Sequence, residues 1–210
     1  MVKKVVIVDY GLGNILSAKQ SFVKVSTDNK IQAEIKITKN PNDIDSSSHI
    51  VLPGQGAFQT CMLGLKNIPG MIKSLNKNVI DKKKSFLGIC VGMQLLANIS
   101  YENGEHKGLG WIDGRIKKIP DNGIKLPHMG WNNVRITNKN KLIKENNLKN
   151  YYFVHSYYFD CKNRINKIGE TSYGIDFTSF VSKENIYGVQ FHPEKSSGQG
   201  LEIIKNFLML

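Results

Sequence analysis

The sequence predicts an α/β fold with a mostly parallel sheet, flanking helices and an added antiparallel layer. Residues 5–8 and 85–89 are short, almost continuously apolar runs, which is typical of buried parallel strands. Each run leads into a glycine-containing turn and then a helix-like pattern. From residue 108 to about 159 the pattern changes to short strands separated by turns rich in Asn, Asp and Gly, which predicts the antiparallel layer.

The first half of the chain predicts alternating strands and helices. Strands are expected at 3–9, 33–38 and 49–52. Helices are expected after the turn at 11–14, through about residue 25, and over most of 57–82, with a break at Pro69-Gly70. The Asn- and Ser-rich stretch that ends at residue 48 predicts a loop. Near the C-terminus, Leu201, Ile204, Phe207 and Leu208 indicate a closing amphipathic helix.

The composition is that of a soluble globular protein. A chain of 210 residues with 40% hydrophobic and 22% charged residues fits one domain, predicted to span 1–210. No apolar run is long enough to span a bilayer, and the first residues lack a signal-peptide pattern. Cys61, Cys90 and Cys161 are odd in number and scattered, which argues against a disulfide framework. We therefore expect a cytoplasmic protein that does not bind membranes.

The net charge of +12 raises the hypothesis of nucleic-acid binding. The lysines are dispersed, however, and the one dense run, at 82–84, has no aromatic residues among it. We therefore expect no nucleic-acid partner, because net charge informs non-specific association more than function. The five histidines show neither His-x-His nor His-x₃-His spacing, so we expect no metal and no cofactor.

Cys90 lies where the strand at 85–89 turns into a helical pattern, in which Val91, Leu95 and Leu96 have helix-like spacing. Gly88 and Gly92 flank it at i−2 and i+2, where side chains would block a sharp turn, as in a nucleophile elbow with cysteine in the serine position. The positive end of the helix dipole would favour a thiolate there. By itself Cys90 fits a small core residue equally well. A partner base decides between the two interpretations.

His192 and Glu194 supply that base and its orienting group. Pro193 between them is expected to keep the backbone extended, so that both side chains point to the same face. A carboxylate beside an imidazole fixes its tautomer, and the imidazole can then act as base toward a thiol. Cys90, His192 and Glu194 together therefore predict a nucleophile, base and orienter.

Residues 88–94 followed by the distant His192-Pro193-Glu194 resemble the class I (triad) glutamine amidotransferases. Further stretches are similar to the glutaminase subunits of imidazole glycerol phosphate synthase, a branch of that family in histidine biosynthesis; they are 9–14, 52–58, 127–132, 152–157 and 192–196. The resemblance covers residue 5 to the C-terminus. It implies a flavodoxin-like fold and hydrolysis of L-glutamine to glutamate and ammonia by Cys90, His192 and Glu194.

The resemblance also implies the other residues of the site. Oxyanion donors are expected from the Val91 amide and from the Gly54–Gln55 peptide, next to Gly56. Many relatives have Val where this chain has Gln55. This difference in side chain leaves the role of the backbone N–H intact in principle. The residues expected to contact substrate are Gln94, Glu102, His155, Ser156 and Tyr157. The alternative for Glu102 is that it is a solvent-exposed acid in a loop and does not contact substrate.

The resemblance further implies a partner, a separate (β/α)₈ cyclase subunit that forms a heterodimer with this chain. The cyclase would use the ammonia to form imidazole glycerol phosphate and an aminoimidazole carboxamide ribotide. Asn14, Trp131, Tyr152 and Lys195 are expected at the interface. The chain itself has no phosphate-cradling loop or nucleotide motif that could bind the acceptor.

Three alternatives stay open from the sequence. The chain could be the glutaminase of another synthase, such as a sugar amidotransferase or pyridoxal phosphate synthase. It could be a non-catalytic binding module on the same fold, in which Cys90 is unreactive. It could also be a basic nucleic-acid binder, which predicts salt-sensitive retention on DNA.

Overall fold

The computed structural model of the protein describes residues 2–143 and 148–210. Within them, thirteen strands form one sheet. The strands are β1 (Lys3–Val8), β2 (Ala33–Thr38), β3 (His49–Gly54), β4 (Ser85–Cys90), β5 (Ile99–Ser100), β6 (His106–Lys107), β7 (Gly114–Lys118), β8 (His128–Ile136), β9 (Lys149–His155), β10 (Tyr157–Cys161), β11 (Lys167–Tyr173), β12 (Ile175–Lys183) and β13 (Ile186–Val189).

The helices of the described residues flank this sheet. They are α1 (Ile15–Asp28), α2 (Pro41–Ser46), α3 (Phe58–Lys66), α4 (Met71–Asn76), α5 (Val91–Gln94) and α6 (Ser197–Leu208), with a π-helical turn at Lys77–Asp81 and 3₁₀ turns at Arg164–Asn166 and Pro193–Lys195. The helix α1 packs against α6, while α4 packs against α2 and α3. None of the helices in these residues has both the length and the apolar character needed to cross a membrane.

Five strands form the parallel half of the sheet, in the order β2, β1, β3, β4 and β13. All residues of β3 and β13 are buried, as are the last four of β1. Strands covered on both faces need apolar side chains throughout, which is why their positions could be predicted. The carboxyl ends of these strands meet at one edge of the sheet.

The antiparallel half continues from β13 through β12, β10 and β7. The strand β12 also pairs with β11, which leads on to the β8–β9 hairpin. The predicted antiparallel layer is confirmed, and β12 joins it to the parallel strands. Part of the predicted stretch, residues 144–147, lies outside the described residues.

Two helix predictions need correction. The stretch that ends at residue 48 is not a continuous loop, because α2 occupies 41–46. Pro41 starts this helix, Asn40 Oδ1 accepts the Asn42 N–H at 3.0 Å, and Ile44 is fully buried. A single apolar residue gives no periodicity, so the pattern missed this helix. The helix α1 runs to Asp28, beyond the predicted end near 25.

Candidate active site

Cys90 ends β4 and immediately precedes α5, at the carboxyl edge of the parallel strands. Its φ of 55° and ψ of −113° are unusual for a residue with a side chain. Such strained backbone persists where the surrounding structure holds it, and it occurs often at active sites. The predicted sharp turn at Cys90 is therefore present.

The two glycines beside Cys90 are required by close packing. A Cβ atom on Gly92 would lie 1.8 Å from the Leu52 carbonyl oxygen, and one on Gly88 would lie 2.5 Å from the Gly92 carbonyl oxygen. The helix that follows is shorter than the pattern predicted, since α5 ends at Gln94 and does not reach Leu95 and Leu96. A single turn sums few peptide dipoles, so the dipole contributes less to the site than expected.

His192 and Glu194 form a buried pair. His192 Nδ1 lies 2.8 Å from Glu194 Oε1, and both side chains are 4% exposed. The predicted proximity is present, but its predicted cause is wrong: Pro193–Lys195 forms a 3₁₀ turn instead of an extended segment. The turn brings the carboxylate back to the imidazole. His192 Nε2, the other ring nitrogen, has no hydrogen-bond partner of acceptable geometry among the described residues.

The pKa of His192 is raised to about 10. Burial acts in the opposite direction, but the sulfur of Cys90 nearby and the Glu194 carboxylate bound to Nδ1 both favour the protonated ring and outweigh it. His192 is therefore a stronger base at neutral pH than a free imidazole, and the Glu194 carboxylate 2.8 Å away stabilises its protonated form.

A cavity of about 260 Å³ opens at Cys90. It lies below the range of about 300 to 1,000 Å³ of drug-sized ligand pockets, which suits a small metabolite. Ten of the twelve residues predicted for catalysis, the oxyanion and substrate line it: Gln55, Gly56, Cys90, Val91, Gln94, Glu102, His155, Ser156, Tyr157 and His192. Pro127 and Val154 line it too, although the sequence did not single them out for this role.

Two buried amides connect the cavity wall to the nucleophile. Gln94 Nε2 donates to the Tyr157 carbonyl at 3.0 Å and to Gln190 Oε1 at 3.0 Å. Gln190 Nε2 in turn donates to Cys90 Sγ at 3.8 Å. Gln190 was missed by the sequence analysis, although its position two residues before His192 is the signal that could have indicated it.

The peptides around Gly54 lie directly beside Cys90, because Gly54 is its register partner across β3 and β4. Two buried side chains hold this segment. Tyr10 Oη donates to the Pro53 carbonyl at 2.7 Å, and Cys61 Sγ donates to the Gln55 carbonyl at 3.6 Å. Burial raises the pKa of Cys61 to about 11, so it stays a neutral thiol donor at neutral pH. Tyr10 and Cys61 had no predicted role here.

Glu102 also lines the cavity, and its carboxylate is tied to the protein. Glu102 Oε2 accepts the Phe58 N–H at 2.8 Å, at the first residue of α3. This bond caps a helix and fixes the side chain, which a freely solvated loop acid would not require. His155, Ser156 and Tyr157 form the junction between β9 and β10 on another side of the cavity.

Three of the four residues predicted for a partner interface lie together on the surface. Trp131 and Tyr152 are register partners in the β8–β9 hairpin, with ring centroids 6.2 Å apart, and Trp131 is 53% exposed. Lys195 Nζ lies 5.9 Å from the centroid of the Tyr152 ring. Asn14 caps α1 instead, where its side chain accepts the Ser17 N–H at 3.4 Å.

In residues 2–143 and 148–210, no group of histidine, cysteine, aspartate or glutamate side chains could hold a metal ion. A buried cysteine, an imidazole with a free ring nitrogen and a small cavity between them suit nucleophilic attack on a carbonyl carbon.

Comparisons with known proteins agree with this geometry. The family described as glutamine amidotransferase class-I matches residues 6–210. The imidazole glycerol phosphate synthase subunit HisH of Pelagibacter ubique is 46% identical over 209 residues, covering 98% of this chain and 99% of that protein. HisH 2 of Methanococcus maripaludis is 45% identical, covering 97% and 98%. A crystal structure of a glutamine amidotransferase shares the fold with a TM-score of 0.72 at 16% identity, covering 97% of each chain.

Proposed function

The chain belongs to the class-I glutamine amidotransferase family, and we propose that it is the glutaminase subunit of an imidazole glycerol phosphate synthase. In this role it hydrolyses L-glutamine to glutamate and ammonia for histidine biosynthesis. The observation that carries the proposal is that Cys90 and His192 line one small cavity, with Glu194 bound to His192 at 2.8 Å. The near full-length identity to two HisH subunits supports the assignment within the family.

We assign the first step to transfer of the Cys90 thiol proton to His192 Nε2, which leaves a thiolate beside an imidazolium. The Cys90 thiolate attacks the side-chain amide carbon of glutamine, and the carbonyl electron pair moves to oxygen. His192 then gives its proton to the amide nitrogen, the carbon–nitrogen bond breaks, and ammonia leaves. A glutamyl thioester remains on Cys90.

Water completes the reaction. His192, now neutral, takes a proton from the water as its oxygen attacks the thioester carbon, and the carbon–sulfur bond breaks to give glutamate and the thiolate. Glu194 keeps His192 in one tautomer and stabilises its protonated form throughout. The ion pair is thereby restored.

The tetrahedral intermediates need hydrogen-bond donors for their oxyanion. The Val91 N–H has no acceptor within α5, because it is the first amide of that helix. The Gly54–Gln55 peptide lies beside Cys90 and supplies the second donor. Removal of one such donor typically slows catalysis by about 10² to 10³.

Two side chains then hold the substrate. Both amide hydrogens of Gln94 are used by Tyr157 and Gln190, so its oxygen is left to accept a hydrogen bond from glutamine. Glu102 Oε2 is occupied by the Phe58 N–H, and its second oxygen accepts from the substrate ammonium. Ser156 and Tyr157 contribute backbone groups at the same cavity.

As a synthase subunit, the chain works within a multi-subunit complex. We assign the second subunit as a (β/α)₈ cyclase that receives the ammonia, in a heterodimer. The exposed Trp131 and Lys195, with the half-buried Tyr152 between them, support a surface for it, because an aromatic pair with an adjacent cation is typical of interface anchors. Asn14 is the fourth interface residue of the proposal.

We propose that the chain is one domain and works in the cytoplasm. A single glutamine amidotransferase domain spans 1–210, which the family match over 6–210 supports. The three cysteines of the described residues are free and buried, which suits a reducing compartment, so we assign the protein to the cytoplasm.

Glutamate release from L-glutamine by the purified chain tests the function, measured alone and with a cyclase subunit of the histidine pathway. We expect strong stimulation by the cyclase, and its loss in Cys90→Ser. The matched control is Cys161→Ser, because Cys161 is another buried free cysteine and does not line the cavity.

The other outcomes separate the alternatives. Hydrolysis that does not respond to the cyclase would overturn the synthase assignment and favour the glutaminase of another synthase. Absence of hydrolysis with and without the cyclase would overturn the enzymatic proposal and favour a non-catalytic module.

A further inference from the structure

A buried pair of histidines connects the β8–β9 hairpin to the cavity. His128 and His155 are 3% and 7% exposed, and His128 Nδ1 lies 3.0 Å from His155 Nε2. Burial lowers the pKa of His128 to about 4 and that of His155 to about 3, so both are neutral at pH 7. Neither side chain takes part in the hydrolysis steps above.

The direction of the hydrogen bonds is fixed at the hairpin end by Asn132. Its Oδ1 accepts the Asn133 N–H at 2.7 Å, and its Nδ2 donates to the Ser172 carbonyl at 3.1 Å. The same Nδ2 lies 3.1 Å from His128 Nε2, which must therefore be the acceptor. A neutral imidazole carries one proton, so that of His128 is on Nδ1.

The cavity end fixes the same direction independently. His155 Nδ1 lies 2.8 Å from the Tyr157 carbonyl, which can only accept. His155 therefore has its proton on Nδ1, and its Nε2 must accept from His128 Nδ1. The two ends require the same arrangement, so hydrogen bonds run in one direction from Asn132 through both histidines to Tyr157.

The Tyr157 carbonyl joins this chain of hydrogen bonds to the nucleophile. It accepts from His155 and also from Gln94 Nε2, at 3.0 Å. Gln94 bonds to Gln190, and Gln190 donates to Cys90 Sγ. The position of this one carbonyl therefore affects both the β9–β10 junction and the Gln94 side chain, two parts of the cavity wall.

We propose that His128 and His155 are positioning residues that hold the Tyr157 carbonyl and Gln94 in the geometry that binds glutamine. This inference rests on the proposed function. The chain from Asn132 to Tyr157 acts through the cavity wall and does not touch the reacting atoms. Its loss weakens glutamine binding more than it slows the chemical steps.

The substitution His128→Phe separates positioning from packing. The His128 ring stacks between Phe153 and Tyr173, with centroid distances of 4.8 Å and 4.1 Å. Phenylalanine keeps a ring in that stack and removes both hydrogen bonds. We expect KM for glutamine to rise about tenfold, the effect of about one lost hydrogen bond, while kcat changes by less than about twofold.

The matched control is His49→Phe. His49 is also buried, with its pKa lowered to about 4 by burial, and its Nδ1 is 2.9 Å from Ser48 Oγ. It begins β3, whereas the site lies at the other end of that strand. We expect its KM to equal that of the wild type. Equal rises in both variants, or no rise in His128→Phe, would overturn the inference.

A spectroscopic measurement on the wild-type chain tests the same inference without any variant, so a variant that fails to fold cannot affect it. In ¹⁵N-detected NMR at pH 7, His128 and His155 should both be neutral with the proton on Nδ1. An Nε2–H tautomer or an imidazolium at either residue would overturn the hydrogen-bond chain. A wild-type chain that neither binds nor hydrolyses glutamine would instead overturn the proposed function, whatever the tautomers are.

Discussion

Gly54 and Cys90 are register partners at the carboxyl ends of the parallel strands β3 and β4. A Cβ atom on Gly54 would lie 2.6 Å from the Gly92 nitrogen, so the two segments touch with no room for a side chain. This contact places the Gly54–Gln55 peptide next to the nucleophile. The geometry of the site therefore depends on the register of β3 and β4 as well as on the side chains.

Removal of the nucleophile or the base should abolish hydrolysis. We expect Cys90→Ser and His192→Ala each to lower kcat for glutamine by at least about 10³, because residues that act as one unit cannot substitute for each other. Glutamate release measured in the presence of the cyclase checks this. A rate within tenfold of the wild type in either variant would contradict the triad.

Loss of the Glu194 carboxylate should change the pH dependence. The pKa of His192 is raised to about 10, so it keeps its proton through neutral pH and loses it as the pH rises through about 10. The negative charge of Glu194 favours the protonated form, so Glu194→Gln lowers this pKa. We expect the alkaline decline of kcat to begin at lower pH, and kcat at its optimum to fall by about 10² to 10⁴.

The control for that experiment is Glu202→Gln, which removes an acid from α6 that pairs with Lys149 at 3.6 Å. Its pH profile should match the wild type. An unchanged alkaline limb in Glu194→Gln would show that the carboxylate does not act on His192.

Gln55 should act through its backbone alone. Its side chain is exposed, so Gln55→Val should leave kcat within about twofold of the wild type. Gln55→Pro removes the N–H that we assign to the oxyanion, and kcat should fall by about 10² to 10³. Steady-state kinetics of the two variants compare the side chain with the amide. A similar kcat in both would argue against the assigned donor.

Gly92 should be essential for stability. Its Cβ would lie 1.8 Å from the Leu52 carbonyl oxygen, so Gly92→Ala must displace backbone and should lower the free energy of unfolding by about 3 kcal/mol. Gly198 in α6 has nothing within 4 Å of its Cβ position, and Gly198→Ala should be neutral or stabilising by up to about 1 kcal/mol. Urea denaturation measures both. Equal effects would mean that the packing at the elbow is not tight.

Much of the fold and site follows from local sequence patterns. Buried parallel strands such as β3 must be apolar on both faces, and the spacing of Gly88, Cys90 and Gly92 has few structural solutions. Both the buried strands and the turn at Cys90 are therefore determined by residues close to them in sequence. The resemblance to a known family then indicated residues that carry no local signal of their own, such as Glu102 and Ser156, and both line the cavity.

What the sequence did not indicate depends on tertiary contacts. The roles of Tyr10 and Cys61 arise because their donors meet the carbonyls of Pro53 and Gln55, which no local pattern encodes. The direction of the bond between His128 and His155 depends on the Asn132 amide, which Ser172 on β11 orients, and on the Tyr157 carbonyl on β10. The turn at Glu194 was misjudged because Pro193 is as compatible with the first position of a 3₁₀ turn as with extended backbone.

Covalent labelling tests most directly whether Cys90 is the nucleophile toward a glutamine carbonyl. A glutamine analogue with a diazoketone in place of the amide alkylates the thiol that attacks it. The chain is treated in the presence of the cyclase, and its peptides are analysed by mass spectrometry. Cys61 and Cys161 serve as internal controls, because burial raises the pKa of each to about 11. We predict one adduct, on Cys90 alone, blocked by excess L-glutamine. An adduct on Cys61 or Cys161, or no adduct at all, would contradict the role of Cys90 as the nucleophile.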